Sequence, residues 1–534
     1  MSGEKEGTRM ERIPHGLRVV GLMAVGAGLL ITMAARTDVI FADGLRYIEQ
    51  AQRISRGEIS EGLFRSIDHP GYPLSIAAAH KLSGGEGPAS WERAAQAAAV
   101  LGGVLLVIPQ YLVAMELFGP RVAWLGCLLV YLAPIPCRVM ADAMSESTFL
   151  LFWCWGLWAA IRFLKEGSLG WLPLTLLFGV PAYLTRPEGI LLPAAMVATL
   201  LVMALFPRTR RNWPRWGAPV GFLLLASLVL IGPYVVAKRG LGTKPALARV
   251  LGTAPKAPSD SVDRARPLDP DQTVAETYFL AVTGTAAAVS EVVSIPLLPF
   301  VALGFLARRP FPGQARLRLF LGIILLGSLL ALVRLHATCG YCTSRHALLV
   351  AMILIPAAAL GIDWLAGGLP LLLRQPSGTT LRYLRPAGFL IAVALYACWS
   401  VPGLLRPLNH ECTGYRLAGE WLADRSHAPE EAKVVDGPGW SLFYGRRTGY
   451  TFANLFEASR DPQARFVVVR EAHLIGPWGY CQFFRDLVRG LPPVAQFPDR
   501  LDNKQARVFL FDRSQPRMPV SAMDASQPWN KLLR

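Results

Sequence analysis

The long apolar runs decide what this chain can fold into. About eleven stretches, near residues 17–35, 93–117, 121–139, 144–164, 169–184, 188–206, 216–237, 287–307, 317–335, 346–366 and 386–402, approach or reach the length at which a helix crosses roughly 30 Å of hydrocarbon. A chain of 534 residues that is 53% hydrophobic and 17% charged, with its apolar residues grouped in this way, is expected to be a polytopic α-helical membrane protein. The net charge of +17 would suggest nucleic acid for a soluble protein. Here lysine and arginine retained in cytoplasmic loops account for it, so no nucleic-acid partner is expected. No cleavage pattern follows the first run, which reads as a retained signal-anchor.

An odd number of spans puts the termini on opposite sides, and Lys5, Arg9, Arg12 and Arg18 place the N-terminus in the cytoplasm. Each loop that should then be cytoplasmic is basic: Arg121; Arg162 and Lys165; Arg208, Arg210, Arg211 and Arg215; Arg308, Arg309, Arg316 and Arg318; Arg374, Arg382 and Arg385. The remaining connections, 36–92, 134–143, 184–188, 238–285 and 336–345, face the periplasm or exterior with the tail. This gives a membrane domain over 1–406 with an external loop at 36–92, and a soluble domain over 407–534. In the tail, 415–425 has Leu417, Trp421 and Leu422 at helical spacing, and 433–435, 466–469 and 507–511 are strand-like, which suits a small α/β domain. Residues 238–271, rich in Pro and Ala, read as a long flexible loop. Cys127, Cys137, Cys154 and Cys398 lie in or beside apolar runs and need no function. Cys339, Cys342, Cys412 and Cys481 lie where disulfides are chemically open, with the pairing undetermined.

The polar clusters fall on one side of this topology. Asp43, Arg46, Tyr47 and Gln50 follow helical spacing, which would leave Leu45, Ile48 and Ile54 for the membrane in an interfacial helix; the plain reading of Asp43 is an N-cap. Asp68, His69 and Tyr72 form a second cluster before an apolar helix at 74–82, with Asp68 as a cap and His69 as a solvated residue for the plain reading. Ser145 and Glu146 open the fourth span, where capping suffices. Arg186, Pro187 and Glu188 break the chain between two spans, and Arg345 and His346 enter the tenth. Arginines on the side where arginine is disfavoured suit an anionic partner such as a phosphate headgroup.

The segments DGLRYIEQA at 43–51, HPGYPLSIAAAHKL at 69–82, ADAMSESTFLLFWCWGLWAAIRF at 141–163, LTRPEGILL at 184–192 and SRHALLVAMILIPAAAL at 344–360 occur in an order that resembles the GT-C superfamily of membrane glycosyltransferases. The resemblance is to the branch with protein O-mannosyltransferases and lipid A aminoarabinose transferases. It implies a polyprenyl-phosphate sugar donor, a glycan, lipid or protein acceptor, and an inverting transfer at the outer face of a plasma membrane, in contact with membrane lipids. It also implies that Asp43 is the acidic residue of the first external loop. The protein mannosyltransferases have adjacent acidic residues there, whereas Gly44 follows Asp43. The residues expected to carry the chemistry are Asp43 as base with Asp68 as second choice; Arg186 and Arg345 as phosphate partners with His346 and Tyr72 as secondary contacts; Arg46, Tyr47 and His69 as further substrate contacts; and Glu146 and Glu188 as orienting groups for acceptor or cation. Whether a divalent metal takes part stays open. A secondary transporter and a non-catalytic membrane scaffold are the competing classes. Charges gathered at span ends, rather than at mid-membrane, and the lack of an internal repeat weigh against transport.

Overall fold

The computed structural model describes residues 14–205, 213–241, 244–253, 272–307, 315–372, 378–424, 426–476, 478–498 and 506–518. Among the described residues, eight helices are long and apolar enough to cross a bilayer: those within His15–Ala35, Pro88–Phe118, Glu146–Glu166, Pro187–Leu205, Gly217–Lys238, Ala315–Cys339, Ser344–Gly367 and Ala387–Leu404. Two bent pairs pass the same test together, Pro120–Leu132 with Pro134–Ala141 at 68° and Val274–Val293 with Ile295–Leu306 at 87°, each a broken span or a re-entrant loop, and Trp171–Thr185 is a shorter apolar helix. Each apolar run of the sequence therefore corresponds to a helix or a bent pair, and the molecule is an integral membrane protein.

The breaks have local causes. Proline lacks the amide donor a helix interior needs but fits the first turn, so Pro88, Pro120, Pro134 and Pro187 each open a helix. Between Pro88–Phe118 and Pro120–Leu132 the chain turns on Gly119, whose φ of 88° is costly for a side chain. The eighth apolar run differs from expectation. Its helix begins at Val274 rather than near 287 and breaks at Ser294, inside the apolar run. Of the connector 238–271, Pro245–Val250 forms a short helix, and 254–271 lies outside the described residues.

Glu146–Glu166 and Ser344–Gly367 form the centre of the bundle, each 72% buried, whereas Gly217–Lys238 at 17% and Ala387–Leu404 at 22% line its rim. In hydrocarbon, helices associate through close packing, which small residues permit. Gly126 sits on Pro356, and Gly304 and Gly361 let their helices meet backbone to backbone.

The C-terminal part is a five-stranded sheet of order β2-β1-β3-β5-β4, with β1 Lys433–Asp436, β2 Gly449–Tyr450, β3 Ala464–Arg470, β4 Pro493–Phe497 and β5 Val508–Asp512. β1 runs parallel to β2 and β3, and β5 antiparallel to β3 and β4. Alternate residues divide between two cores, as the pleat dictates. Val435, Val467, Val469, Phe509 and Phe511 face the Gly479–Val488 side. Val434, Phe466, Val468, Val508 and Leu510 face Tyr415, Ala418 and Leu422 of helix Thr413–Ala423. Val39, from the segment after the first membrane helix, is part of this second core.

Candidate active site

Helix Ala42–Ser55 carries the first cluster, and its apolar residues do not face lipid as the sequence suggested. Ile48 is buried with Tyr72, Ile76 and Ala94, and Leu45 packs toward both this group and the C-terminal domain. Helix Gly71–Ser83 and the sheet domain provide that cover. Asp43 is also not an N-cap: Phe41 holds that position and Asp43 lies in the first turn, its carboxylate turned to cations.

Five charged side chains alternate in sign. Arg345 Nη1 lies 2.8 Å from Asp43 Oδ2, Asp43 Oδ1 is 2.9 Å from Arg46 Nη1, Arg46 Nε donates to Asp68 Oδ2 at 3.0 Å, and Lys244 Nζ reaches Asp68 Oδ1 at 2.8 Å. A second group holds Arg186 between Glu146, at 2.5 Å, and Glu188, at 2.8 Å. Ser145 joins the two, with its Oγ 3.2 Å from the Tyr47 hydroxyl and 3.5 Å from Arg186 Nη1. Helix starts, loops and a turn from six separate regions thus meet on the face that also carries the sheet.

The electrostatics follow from burial. Burial opposes ionisation of Asp43, but Arg345, then Arg46 and Lys244, outweigh it and hold its carboxyl well below the usual carboxylate range. Asp68 behaves alike: burial raises, Lys244 and Arg46 lower, and the net direction is down. Both are carboxylates at neutral pH. Lys238 adds a cation, with Nζ donating to the carbonyls of Ser66 and Asp68, each at 2.9 Å. Among the described residues this gives five cations, Arg46, Arg186, Lys238, Lys244 and Arg345, against four carboxylates, an excess that favours an anion.

Three expected contacts have other surroundings. Tyr72 is fully buried and donates its hydroxyl to the Ala95 carbonyl at 2.8 Å, so that donor is committed to the fold and not to a phosphate. His346 Nδ1 lies 3.0 Å from Thr343 Oγ1 and accepts from the Thr343 amide at 3.2 Å, closing a local turn. His69 is 2% exposed rather than solvated, edge-on to Tyr183 and tilted against Tyr234, and both ring nitrogens are without hydrogen-bond partners. Burial pushes it down to about 3, so it is neutral. The arginines, for which an external anion was expected, have carboxylates of their own chain. Those carboxylates are dispersed by their cations, and among the described residues no three His, Cys, Asp or Glu side chains gather into a metal-ligand set.

Sequence reasoning missed Lys238 and Lys244, at the margin of a polar connector, and Asp142, in the short connection between the third and fourth apolar runs. The signal for Asp142 was its place in ADAMSES, where an acid precedes Ala143 and Ser145. Only topology brings Asp142 against Phe41.

Residues 70–236 match the family described as dolichyl-phosphate-mannose-protein mannosyltransferase. The structure is similar to ArnT from Cupriavidus metallidurans bound to undecaprenyl phosphate, with a TM-score of 0.55 and 16% identity over 93% of this chain and 97% of that one. The fold is that of the GT-C superfamily. A second GT-C structure, the oligosaccharyltransferase AglB from Archaeoglobus fulgidus in complex with an inhibitory peptide and a dolichol-phosphate, aligns with a TM-score of 0.53 and 12% identity over 91% of this chain and 73% of that one. Among curated proteins none matches the sequence. In this GT-C framework, the Asp43–Arg345 pair joins the first polar connection after a membrane helix to the entrance of the Ser344–Gly367 crossing.

Proposed function

We propose that the protein is a membrane glycosyltransferase that moves a sugar from a polyprenyl-phosphate donor to an acceptor hydroxyl, with inversion, at the outer face of a bacterial plasma membrane. The N-terminus is then cytoplasmic and the C-terminal domain extracytoplasmic, in keeping with the basic loops at the opposite end. The observation that carries this reading is Asp43, ionised and held between Arg345 and Arg46 beside an excess of positive charge. The lipid phosphates named in the ArnT and AglB structures and the family match support the donor class.

In this reading Asp43 accepts the proton of the acceptor hydroxyl as the oxygen attacks the anomeric carbon. The bond from that carbon to the phosphate oxygen breaks, and its electron pair leaves with the phosphate, which needs no strong acid. Arg345, Lys244, Lys238 and Arg186 are the groups that stabilise the departing dianion; Glu146 and Glu188 hold Arg186 in place. Asp68 orients Arg46 and Lys244. Purified protein in liposomes, given an undecaprenyl-phosphate sugar and envelope glycan or lipid acceptors, is expected to transfer. Asp43→Asn should insert and fold normally and lose transfer by at least about a hundredfold. Full transfer by that variant removes the assignment.

A further inference from the structure

The strap between the first membrane helix and Asp43, residues 37–41, is held by chain from far away. Thr37 pairs in parallel with Leu408, the Asp38 carbonyl accepts from Arg416 at 3.0 Å, and the Ile40 carbonyl from Trp440 Nε1 at 2.7 Å. Asn409 Nδ2 donates to the Val39 carbonyl and to Asp142 Oδ2, both at 2.8 Å. Asp142 Oδ1 in turn accepts from the amides of Phe41 at 3.1 Å and Ala143 at 2.7 Å. Asp142 is 5% exposed, so a single buried carboxylate ties together the strap, the membrane body and the C-terminal domain.

Its location relative to Asp43 gives this tie a purpose. Asp142 grips Phe41, two residues before Asp43, and the next residue, Ala143, closes on Gly44, one residue after it: a Cβ on Gly44 would lie 2.9 Å from both the Ala143 Cβ and its carbonyl oxygen. The first turn of the Asp43 helix is thus fixed on both sides by two adjacent residues. N–H groups donating to an ionised or strongly polarised buried acceptor make a stiffer joint than contacts open to water.

We propose that Asp142 and Asn409 are positioning residues, which lock the strap between membrane body and C-terminal domain and thereby fix where Asp43 stands relative to Arg345. This extends the reading of Asp43 as base and rests on it for the catalytic consequence only. The C-terminal domain is then part of the active-site frame and not a cover over it.

The test uses the full-length protein with Asp142→Ala, Asn409→Ala and the milder Asp142→Asn, which keeps the acceptor for Phe41 but turns an N–H toward Asn409. Hydrogen exchange over 37–45 is expected to quicken at least about tenfold in the alanine variants, with strand β3 unchanged. Turnover should fall about 10- to 100-fold, as for a displaced catalytic group, while binding of undecaprenyl phosphate alone stays within about twofold. The acid limb of the pH–rate profile should move up as Asp43 slips from Arg345, and Asp142→Asn should lie between wild type and alanine. Unchanged exchange over 37–45 overturns the proposal whatever happens to transfer, as does quickened exchange in 37–45 and β3 alike with an unmoved acid limb. Quickened exchange confined to 37–45 with transfer untouched sustains the strap and removes Asp43 from the chemistry.

Discussion

Arg345 and Asp43 are 302 positions apart in the chain, and their side chains meet at 2.8 Å. The pair defines the charge state of the site. A carboxylate held by two guanidiniums stays ionised at any working pH but is a weak base until one of them is drawn to another anion. In the proposed reaction, the phosphate of the donor would supply one.

Arg345→Gln is expected to move the acid limb of kcat/KM upward. In the wild type, Asp43 is held well below the usual carboxylate range, so the base form persists as pH falls and is lost only through that depressed value. With Arg345 gone, the loss moves toward about pH 4, the ordinary carboxylate value. Profiles from pH 4 to 8 for both proteins would check this; superimposable limbs would exclude Asp43 as the titrating base.

Lys244→Gln should weaken binding of undecaprenyl phosphate by roughly tenfold, about 1.4 kcal/mol. It also leaves Asp68 with Arg46 alone. Titration of the lipid phosphate against wild type, Lys244→Gln and Lys238→Gln separates the two lysines. Equal affinity in all three would place the phosphate elsewhere.

Gly44→Ala should cost about 1 to 3 kcal/mol by overpacking against Ala143, and transfer should drop further than this loss of stability explains. Melting midpoint and specific activity measured on one preparation test it. An alanine accepted without effect on either would show that the contact yields.

His69 predicts a pH dependence of stability. Its folded value is pushed to about 3 against about 6.5 in the unfolded chain, so the unfolded state binds the extra proton between these values. Its contribution is fully present above about pH 6.5 and is lost as pH falls toward 3. The melting midpoint of wild type should therefore drop between pH 7 and 5 more steeply than that of His69→Gln. Parallel slopes would mean that the ring is hydrated in solution.

The membrane crossings were legible because each is a local property: twenty apolar residues need no knowledge of their neighbours. Three of the five strands were legible for the same reason, at 433–435, 466–469 and 507–511, whereas the two-residue β2 and the strand β4, which opens on Pro493, carry no such run. The candidate site was legible in part, because Asp43, Arg186 and Arg345 stand in recognisable short segments on one side of the topology. Partners were not. Sequence suggested an external anion for Arg186, whereas Glu146 and Glu188 already flank it, and it left Leu45 and Ile48 to lipid where the C-terminal domain and helix Gly71–Ser83 cover them. The run at 287–307 breaks at Ser294, with Pro296 in the first turn of the segment that follows; hydropathy alone read it as one continuous span.

The strap has a consequence in time. Ile40 waits for Trp440, 400 residues further along the chain. At about 5 to 20 residues per second, a ribosome needs roughly 20 to 80 s to deliver that partner after the strap has been made. Throughout that interval the nascent protein has its first helices in the bilayer and no finished site. Competence for catalysis therefore arrives near the end of synthesis, and a chain cut short before the sheet would be inserted, retained and inert.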